Sequence, residues 1–385
     1  MVVNLGEILS RAFNFFVKKI SQLLPYWQNA YSVQALPPVS IPINLPINIS
    51  SLPKEFAAKF VNHINIPERK IYVFHNVNVI GAGAIFKNLR IFIPSLSCLD
   101  DFNSFRQGYV LTKQWKANLP QISSEPVALI YDYHASINYY HWMVDSLTRL
   151  LLLKRLYPNC KLIVPANAPE YTTITLRLLG FDKLTHLDKY EALNISKLIF
   201  PEFSAPQEFQ DPLLINQVKN LIRDSFSITK VKAVRRIYVS RSRQNIRKIA
   251  NERDLIDLLT KFGFETIFFE DFTFEEQVKI MMETTVMISV HGANLTNMLF
   301  MNPGSLVMEL MNKNFNNHCY YSLASSTSLD YLTIPCELVK PEINPDNYIL
   351  NNNADLIVDI DRVDLILKLV INQVSFQSVN QIFNK

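Results

Sequence analysis

Glycine and cysteine are scarce in this sequence, and their distribution excludes two common kinds of site. Among 385 residues there are eight glycines and four cysteines. The glycines form no GxGxxG dinucleotide fingerprint, because Phe86 stands where a third glycine would have to follow Gly81 and Gly83. The cysteines lack CxxC or other metal-ligand spacing, which predicts reduced and mostly buried thiols. They are Cys98, Cys160, Cys319 and Cys336.

Blocks of like charge are also absent. Charged residues make up 19% of the chain and the formal net charge is +4, with acidic and basic groups mixed along the sequence. A nucleic-acid binder usually carries a clustered basic stripe, so nucleic acid is not an expected partner. The small positive excess suits an anionic substrate or an anionic membrane surface.

Long apolar runs are missing as well. No window reaches the roughly 18 apolar residues of a membrane span, and the N-terminus lacks the regions of a secretory signal. We therefore expect a cytoplasmic protein, peripheral at most to the inner face of a membrane. Residues 4–24 repeat apolar groups at helical spacing beside Arg11, Lys18 and Lys19. This amphipathic helix either lies on a membrane or packs on its own domain or on a second copy in a homo-oligomer.

Length and apolar content predict two domains of the α/β class. With 385 residues and 49% hydrophobic side chains the chain can bury more than one core. Short apolar strands alternate with helical segments in both halves, which favours parallel sheets covered by helices. We expect two Rossmann-like domains facing each other across a cleft. The expected divisions are the N-terminal helix and Pro-rich linker over 1–50, a first domain over 51–225, and a second domain with a closing C-terminal helix over 226–385.

Capping signals locate several of the helices. Gly180 and Gly263 are placed to end helices, and Asn251 is placed to begin one as an N-cap. Thr273 and Glu276 have the spacing of a capping box. These helices follow or precede apolar strands, as βαβ units require.

The segment 286–297 is the most informative candidate for a site. A buried strand leads directly into His291 and Gly292, and then into a helix that begins near Ala293 and Asn294. Open α/β folds bind ligands at the carboxyl ends of their strands, and free amides at a helix start suit a phosphate. A glycine at 292, in a chain with so few, indicates a place where a side chain would intrude. The alternative is a purely structural turn.

A loop rich in arginine follows another strand. Arg241, Arg243, Arg247 and Lys248 lie between that strand and the next helix. Guanidinium groups bind a diphosphate in bidentate fashion, although solvated arginines are also common in such loops. Glu309 ends a later strand, where a carboxylate can accept two ribose hydroxyls or simply face solvent.

The first half contains a candidate acid–base pair. His141 and Asp145 are four residues apart on a helix, with Arg149 one turn further on. Either could take a proton from an acceptor hydroxyl, although a histidine on an apolar helix is often a core residue. Asp132 ends the preceding strand, and one carboxylate is too few oxygen ligands for Mg²⁺ or Mn²⁺, so no metal site is expected.

The motifs together resemble those of glycosyltransferase family 61, which includes bacterial capsular-polysaccharide proteins, plant xylosyl- and arabinosyltransferases and animal O-linked N-acetylglucosaminyltransferases. The matching stretches are NYYHWMVDSLTRL, the run from Ser240 to Glu252, EDFTFEEQ and SVHGANLTNMLFMNPGSLVMEL. The resemblance implies a GT-B-like fold and an inverting transfer to a glycan, polysaccharide or lipid-linked acceptor. It implies a nucleotide-diphosphate sugar, most simply a UDP-sugar, as co-substrate and no obligatory metal.

Carried over by position, the resemblance assigns roles to individual residues. His141 and Asp145 become the candidates for acceptor activation, with the choice of base left open. The donor-site candidates are Arg241, Arg247, His291, Gly292, Ala293, Asn294 and Glu309. Further candidates from the same stretches are Ser240, Arg243, Lys248, Asn251 and Glu270.

Two other functions remain open on the sequence. A non-catalytic subunit of the same fold would bind a nucleotide sugar or glycan without turnover. A metal-dependent hydrolase would instead use His134, His141 and Asp145 as ligands.

Overall fold

A computed structural model describes residues 12–13, 15–16, 19, 26–27, 29–88, 90–97, 120–122, 125–226, 231–314, 317–339 and 352–371. The predicted helix over 4–24 lies almost entirely outside these residues, as does Cys98. The chain divides into two compact units. The first comprises Met1–Val39 and Ile66–Gln207, and the second comprises Ser40–Asn65 and Glu208–Lys385.

Strands and helices alternate along most of the described chain. The strands are β1 (Tyr26–Trp27), β2 (Ser32–Leu36), β3 (Val39–Pro42), β4 (His63–Ile66), β5 (Arg69–Ile80), β6 (Ala84–Lys87), β7 (Arg90–Phe92), β8 (Gln121–Ile122), β9 (Val127–Leu129), β10 (Lys161–Pro165), β11 (Leu184–Leu187), β12 (Ala192–Pro201), β13 (Arg235–Val239), β14 (Glu265–Ile267), β15 (Thr284–Val290), β16 (Leu306–Asn312), β17 (Asp330–Leu338) and β18 (Leu356–Ile357).

Most of the helices lie between these strands. The α-helices are α1 (Lys54–Ala57), α2 (Tyr139–His141), α3 (Leu147–Leu156), α4 (Glu170–Leu178), α5 (Pro212–Ser225), α6 (Glu252–Lys261), α7 (Phe274–Glu283), α8 (Cys319–Ser326) and α9 (Ile360–Ile371). A π-helical segment, Trp142–Ser146, joins α2 to α3. Short 3₁₀ segments cover Ile49–Ser51, Ile93–Ser95, Phe269–Asp271 and Ala293–Phe300.

The sheet of the first unit is mixed, and the alternation of strands and helices predicted its parallel part. Its order is β1-β7-β6-β5-β12-β9-β10-β11, with β2 also on β5 and β8 also on β12. Strands β9, β10 and β11 are parallel neighbours, as predicted. The long strand β5 instead pairs antiparallel with β12, and β6 and β7 extend that half as a meander. The pairing joins two distant segments, so alternation along the chain did not indicate its direction.

The predicted long helix after β9 is interrupted by the π-helical segment. Trp142, Met143 and Val144 in that segment are buried, and the Trp142 indole N–H donates to Thr175 Oγ1 at 2.9 Å. A π-turn widens the helix by one residue and occurs frequently at functional sites. The predicted helix is therefore present from Tyr139 to Leu156, but in three parts.

The sheet of the second unit has the predicted parallel arrangement. Its order is β14-β13-β15-β16-β17-β18, and all neighbours are parallel except β17 and β18. Strand β16 is buried along its whole length, as expected of a parallel strand covered on both faces. Helices α6 and α9 share one hydrophobic cluster with these strands, to which Leu255, Leu310 and Val363 contribute. The predicted closing helix is thus confirmed as α9.

Local signals in the second half match the structure closely. Thr273 and Glu276 form the predicted capping box at the start of α7. Gly263 follows α6 with φ 75°, and Gly180 follows α4 with φ 85°. Asn251 occupies the N-cap position of α6, but its side chain does not cap the helix.

Residues 40–65 belong to the second unit, whereas the sequence interpretation divided them between a linker and the first domain. The Asn48 amide is buried, and its Nδ2 donates to the carbonyl of Thr333 at 2.8 Å. The Ile47 N–H donates to the carbonyl of Tyr331 at 2.8 Å. Although the segment is rich in proline, it also supplies apolar side chains, and burying Ile43 and Leu52 holds it on this unit.

Two further findings concern the helices and the cysteines. Within the described residues no helix combines the length and apolar character that crossing a membrane requires. Cys160, Cys319 and Cys336 are buried free thiols, as predicted for these three. Burial raises the pKa of Cys160 and of Cys336 to about 12, which makes both poor nucleophiles at neutral pH.

Candidate functional site

The second sheet brings two of the candidate segments to one edge. Strands β13 and β15 are parallel neighbours, with Val239 paired to Ser289. Arg241 comes two residues after β13, and His291 comes directly after β15. Because both strands end at the same edge, the arginine loop and the His-Gly turn meet there, as their positions in the sequence predicted.

Gly292 lies against the guanidinium of Arg241. A Cβ built on Gly292 would overlap Nη1 and lie 3.0 Å from Cζ of Arg241. The backbone of Gly292 is extended, with φ 163°, so the conformation itself does not require glycine. The absence of a side chain is what lets the guanidinium pack on the start of the Ala293–Phe300 helix.

Arg241 is a buried cation without a carboxylate partner in the part of the chain that the structure describes. Its side chain is 8% exposed, and its Nε has no hydrogen-bond partner among the described residues. Burial lowers the pKa of the Arg241 guanidinium, and the nearby charge of Arg247 lowers it further. Two like charges in a desolvated place repel each other, so an anion bound between them would be favourable.

Arg247 is held by backbone carbonyls on two sides. Its Nε donates to the carbonyl of Asn352 at 2.7 Å, and its Nη1 donates to that of His291 at 3.3 Å. The residue has φ 58°, a left-handed conformation that costs free energy for a long side chain. The strained backbone is kept because its N–H also donates to the carbonyl of Asn353. Arg247 is therefore fixed beside His291.

His291 and Glu309 form a buried hydrogen-bonded pair. Nδ1 of His291 bonds to Oε1 of Glu309, and the Tyr331 hydroxyl donates to Oε2 of the same carboxylate. Glu309 is fully buried within β16, which extends three residues beyond it to Asn312. The suggested ribose contact therefore does not match this arrangement. Glu309 instead fixes the orientation of the His291 ring, whose centroid also lies 5.0 Å from that of Tyr320.

The start of the Ala293–Phe300 helix supplies polar hydrogens at the same place. The first bond of this helix runs from the Leu295 N–H to the Gly292 carbonyl at 2.9 Å. The amides of Ala293 and Asn294 precede that bond, so they have no acceptor within the helix. The Asn294 side-chain Nδ2 is buried and has no partner among the described residues. These donors are of the kind that bind phosphate oxygens.

Two further candidates serve the structure of the loop. The Ser240 hydroxyl donates to Glu252 Oε1 at 2.6 Å, and Tyr238 donates to the same oxygen at 2.8 Å. Asn251 exchanges hydrogen bonds with the backbone of Val358, at 2.8 and 3.0 Å. Through these hydrogen bonds, Ser240 and Asn251 stabilise the arginine loop.

The remaining candidates pair with neighbours at the surface or through the backbone. Arg243 forms an ion pair with Asp271 at 2.5 Å and lies over the ring of Phe268. Glu270 accepts a hydrogen bond from Gln244. The Lys248 N–H donates to Asp355 Oδ1 at 2.8 Å. Arg243 is therefore the arginine of this loop whose charge is compensated locally.

A small cavity joins two of the site residues. Arg247 and His291 line it together with Val290, Asn312 and Leu356. Its volume is about 10 Å³, which accommodates one water molecule. The cavity lies beside the arginine and is too small for a nucleotide.

The first unit contains the second candidate pair in a favourable geometry. His141 Nδ1 and Asp145 Oδ2 are 2.7 Å apart, and their side chains are 22% and 24% exposed. A carboxylate only accepts hydrogen bonds, so it places the ring hydrogen on Nδ1 and leaves Nε2 to act on a substrate proton. Arg149 does not extend this pair, as its helical spacing suggested. Its guanidinium is fully buried between the rings of Phe200 and Phe203.

Metal ligation is not supported in the described part of the chain. The rings of His134 and His141 have centroids 5.3 Å apart, but no three His, Cys, Asp or Glu side chains among the described residues are grouped to hold a metal ion. The ligand set that the hydrolase alternative requires is therefore not assembled there.

Sequence reasoning missed Tyr331 and Asn352. Tyr331 reaches Glu309 through the parallel register, in which Val307 pairs with Tyr331 and Glu309 pairs with Thr333. Diagonal neighbours on one face of a sheet come within reach of a long side chain. Asn352 contributes only a backbone carbonyl. Neither contact has a local sequence signal.

Comparison with known proteins finds a match to one family model. Residues 139–308 match the model of the family described as Glycosyltransferase 61. These residues are similar to glycosyltransferase family 61. The matched range includes His141, Asp145, Arg241, Arg247 and Gly292, and it ends just before Glu309. The family's name indicates a glycosyltransferase.

Several curated proteins are similar over a shorter stretch. The EGF domain-specific O-linked N-acetylglucosamine transferase of Drosophila melanogaster is 33% identical over 103 residues, which cover 26% of this chain and 19% of that protein. The proteins of the same name from Bos taurus and Gallus gallus are 32% identical over 92 residues, 23% of this chain and 17% of theirs. The chain thus matches less than a fifth of the length of these relatives.

Proposed function

We propose that this protein is an inverting glycosyltransferase that moves a sugar from a nucleotide-diphosphate donor to a glycan, polysaccharide or lipid-linked acceptor. The observation that carries the proposal is the buried guanidinium of Arg241, packed on Gly292 and close to the charge of Arg247. A diphosphate leaving group needs concentrated positive charge and hydrogen-bond donors, and this edge of the sheet supplies both.

The donor contacts follow from the chemistry of each group. Arg241 and Arg247 bind the diphosphate oxygens, and the amides of Ala293 and Asn294 donate to the same anion. His291 adds a ring hydrogen bond whose direction Glu309 fixes through Nδ1. The positive charge comes from side chains and amides, so the proposal requires no divalent metal. A UDP-sugar is the donor that we propose to test first.

In this proposal the His141–Asp145 pair of the first unit activates the acceptor. We assign the general base to His141, because Asp145 orients its ring and stabilises the imidazolium that forms. Its Nε2 takes the proton of the acceptor hydroxyl as the new glycosidic bond forms at the anomeric carbon. The bond from that carbon to the diphosphate breaks on the opposite side, which inverts the configuration. We also propose that the two units are the two domains of a GT-B fold.

Nucleotide binding tests the donor half directly. A ligand present at 100 times its Kd stabilises the folded state by about 2.7 kcal/mol, which raises the melting temperature by several degrees. We expect UDP or another nucleoside diphosphate to produce that shift in the full chain. Arg241→Ala should weaken binding by about 10- to 100-fold, because it removes a charge-assisted contact.

The matched control is Arg253→Ala, which removes an exposed arginine of the same unit. It should leave the nucleotide shift unchanged. No shift with UDP, GDP, CDP or CMP, in a protein that melts cooperatively, would contradict the proposal. A shift without transfer to any acceptor would instead support the non-catalytic alternative, in which the fold binds a nucleotide sugar but does not turn it over.

A further inference from the structure

Two half-buried side chains and one exposed side chain form a cluster at the carboxyl edge of the first unit's sheet. The Lys189 ammonium lies 4.5 Å from the ring centroid of Tyr133 and 5.4 Å from that of Tyr190. It also donates to the Tyr133 hydroxyl at 3.5 Å. The Tyr190 side chain is 60% exposed. An aromatic ring that faces solvent beside a cation is available for a ligand.

The topology places this cluster where ligands bind in α/β folds. Tyr133 follows β9, and Lys189 and Tyr190 follow β11. Strand β10 lies between these two strands and is parallel to both. The three residues therefore come from strands that end at one edge.

Ring contacts connect the cluster to the His141–Asp145 pair. The centroid of Tyr133 lies 5.6 Å from that of His134, and the centroid of His134 lies 5.3 Å from that of His141. All of these side chains are partly exposed. The cluster is thus a continuation of the surface that carries the proposed general base.

The charge of Lys189 is not compensated in the described part of the chain. No carboxylate there lies within ion-pair distance of its ammonium. The neighbouring Asp188 turns its Oδ1 to the Tyr190 N–H, at 3.1 Å. Two tyrosine rings hold the ammonium in place, which reduces the entropy lost when it binds an anion.

We propose that Tyr133, Lys189 and Tyr190 form an acceptor subsite for an acidic pyranose. The exposed Tyr190 ring packs on the apolar face of the sugar, and Lys189 binds its carboxylate or phosphate. The next sugar along the glycan then presents its hydroxyl to His141. This subsite rests on the proposed glycosyltransferase function, since it gives the acceptor of that reaction a chemical class.

Direct binding of sugars tests the subsite without requiring transfer. Saturation-transfer NMR on the full chain would use tetragalacturonate, mannose 6-phosphate and the neutral xylotetraose as probes. We expect an acidic probe to bind at least tenfold more tightly than xylotetraose, and the first two probes distinguish a carboxylate from a phosphate. Tyr190→Ala should weaken that binding about tenfold, since a stacked ring contributes on the order of 1 kcal/mol.

Variants at Lys189 separate charge from packing. Lys189→Gln should abolish the preference for acidic probes, and Lys189→Arg should keep it. Tyr31→Ala and Lys183→Gln remove an exposed tyrosine and an exposed lysine elsewhere in the same unit, and both should bind like the parent.

The outcomes are distinct from those of the nucleotide test. Equal binding of acidic and neutral probes, or binding that survives Tyr190→Ala, would overturn the subsite even if UDP binds normally. Absence of binding by all three probes would also overturn it. Acidic binding lost in Tyr190→Ala, in a protein that ignores every nucleotide, would keep the subsite and reject the proposed transfer.

Discussion

The guanidinium of Arg241 occupies the space that a side chain at position 292 would fill, so the glycine and the arginine form one structural element. The arginine is buried against the start of the Ala293–Phe300 helix and forms no ion pair with a carboxylate among the described residues. A glycine here serves contact and not backbone conformation, since φ 163° is open to any residue. This contact defines the proposed diphosphate site.

Gly292→Ala should therefore act as a donor-site variant. The added methyl displaces the Arg241 guanidinium, and we expect nucleotide binding to fall at least tenfold with a loss of about 1–3 kcal/mol in stability. Thermal shift with UDP and urea unfolding would measure the two effects. Gly304→Ala is the control, because a Cβ there meets no atom within 4 Å and only its φ of 79° opposes the change. Equal nucleotide binding in both variants would refute this role.

Glu309 should prove to be a support for His291. Glu309→Ala leaves two buried partners unsatisfied, so we expect a loss of roughly 2–4 kcal/mol together with weaker nucleotide binding. Glu309→Gln keeps an acceptor for the His291 ring and should retain more of both. Tyr331→Phe removes one hydrogen bond and should cost about 1 kcal/mol. If all three variants fold and bind like the parent, the His291–Glu309 bond does not orient the site.

Substitutions in the His141–Asp145 pair should lower the rate of transfer without changing donor binding. His141→Ala and Asp145→Asn should each lower the transfer rate by about 10²- to 10⁴-fold, the usual contribution of a positioned base and its partner. The nucleotide thermal shift should remain. His186→Ala, which changes an exposed histidine of the same unit, is the matched control. A rate that is unchanged in both pair variants would exclude them as the base.

Lys219 should make the stability of the protein depend on pH. Its Nζ donates to the carbonyl of Met301 at 2.7 Å, and burial lowers the pKa of this ammonium to about 8, with Arg223 adding to the effect. The folded state then releases a proton that the unfolded chain keeps up to its ordinary pKa of 10.5. The unfolded state binds more protons in that window, so stability should rise with pH across it.

The Lys219→Met variant should lack this rise of stability with pH. Urea unfolding of both proteins at the two ends of the window measures the difference, and other titrating groups cancel in the comparison. The parent should gain free energy of unfolding relative to the variant as the pH increases. Parallel curves would show that Lys219 keeps an ordinary pKa.

Sequence signals confined to a few residues were sufficient to predict much of the local structure of the second unit. The capping box at Thr273 and the helix stop at Gly263 each depend on neighbours within one turn of chain. The placement of Arg241 and His291 at one edge also followed from sequence, because parallel strands separated by helices must end on the same side.

Contacts between segments that are distant in the sequence could not be predicted from such local signals. The direction of β12 against β5, and the attachment of residues 40–65 to the second unit, depend on pairings made after the chain folds back. The role of Glu309 changed for the same reason, since its partner Tyr331 comes from a neighbouring strand.

The amino-acid sequence by itself determined the α/β class, the strands that carry the arginines and His291, and the His141–Asp145 spacing on one helix. Local propensities and capping act over a few residues, so they can be recognised in the sequence. Only the tertiary structure decided which charges are buried together and which are compensated. Arg243 forms an ion pair with Asp271, whereas Arg241 forms none among the described residues and is desolvated by burial, which is a property of the packed molecule.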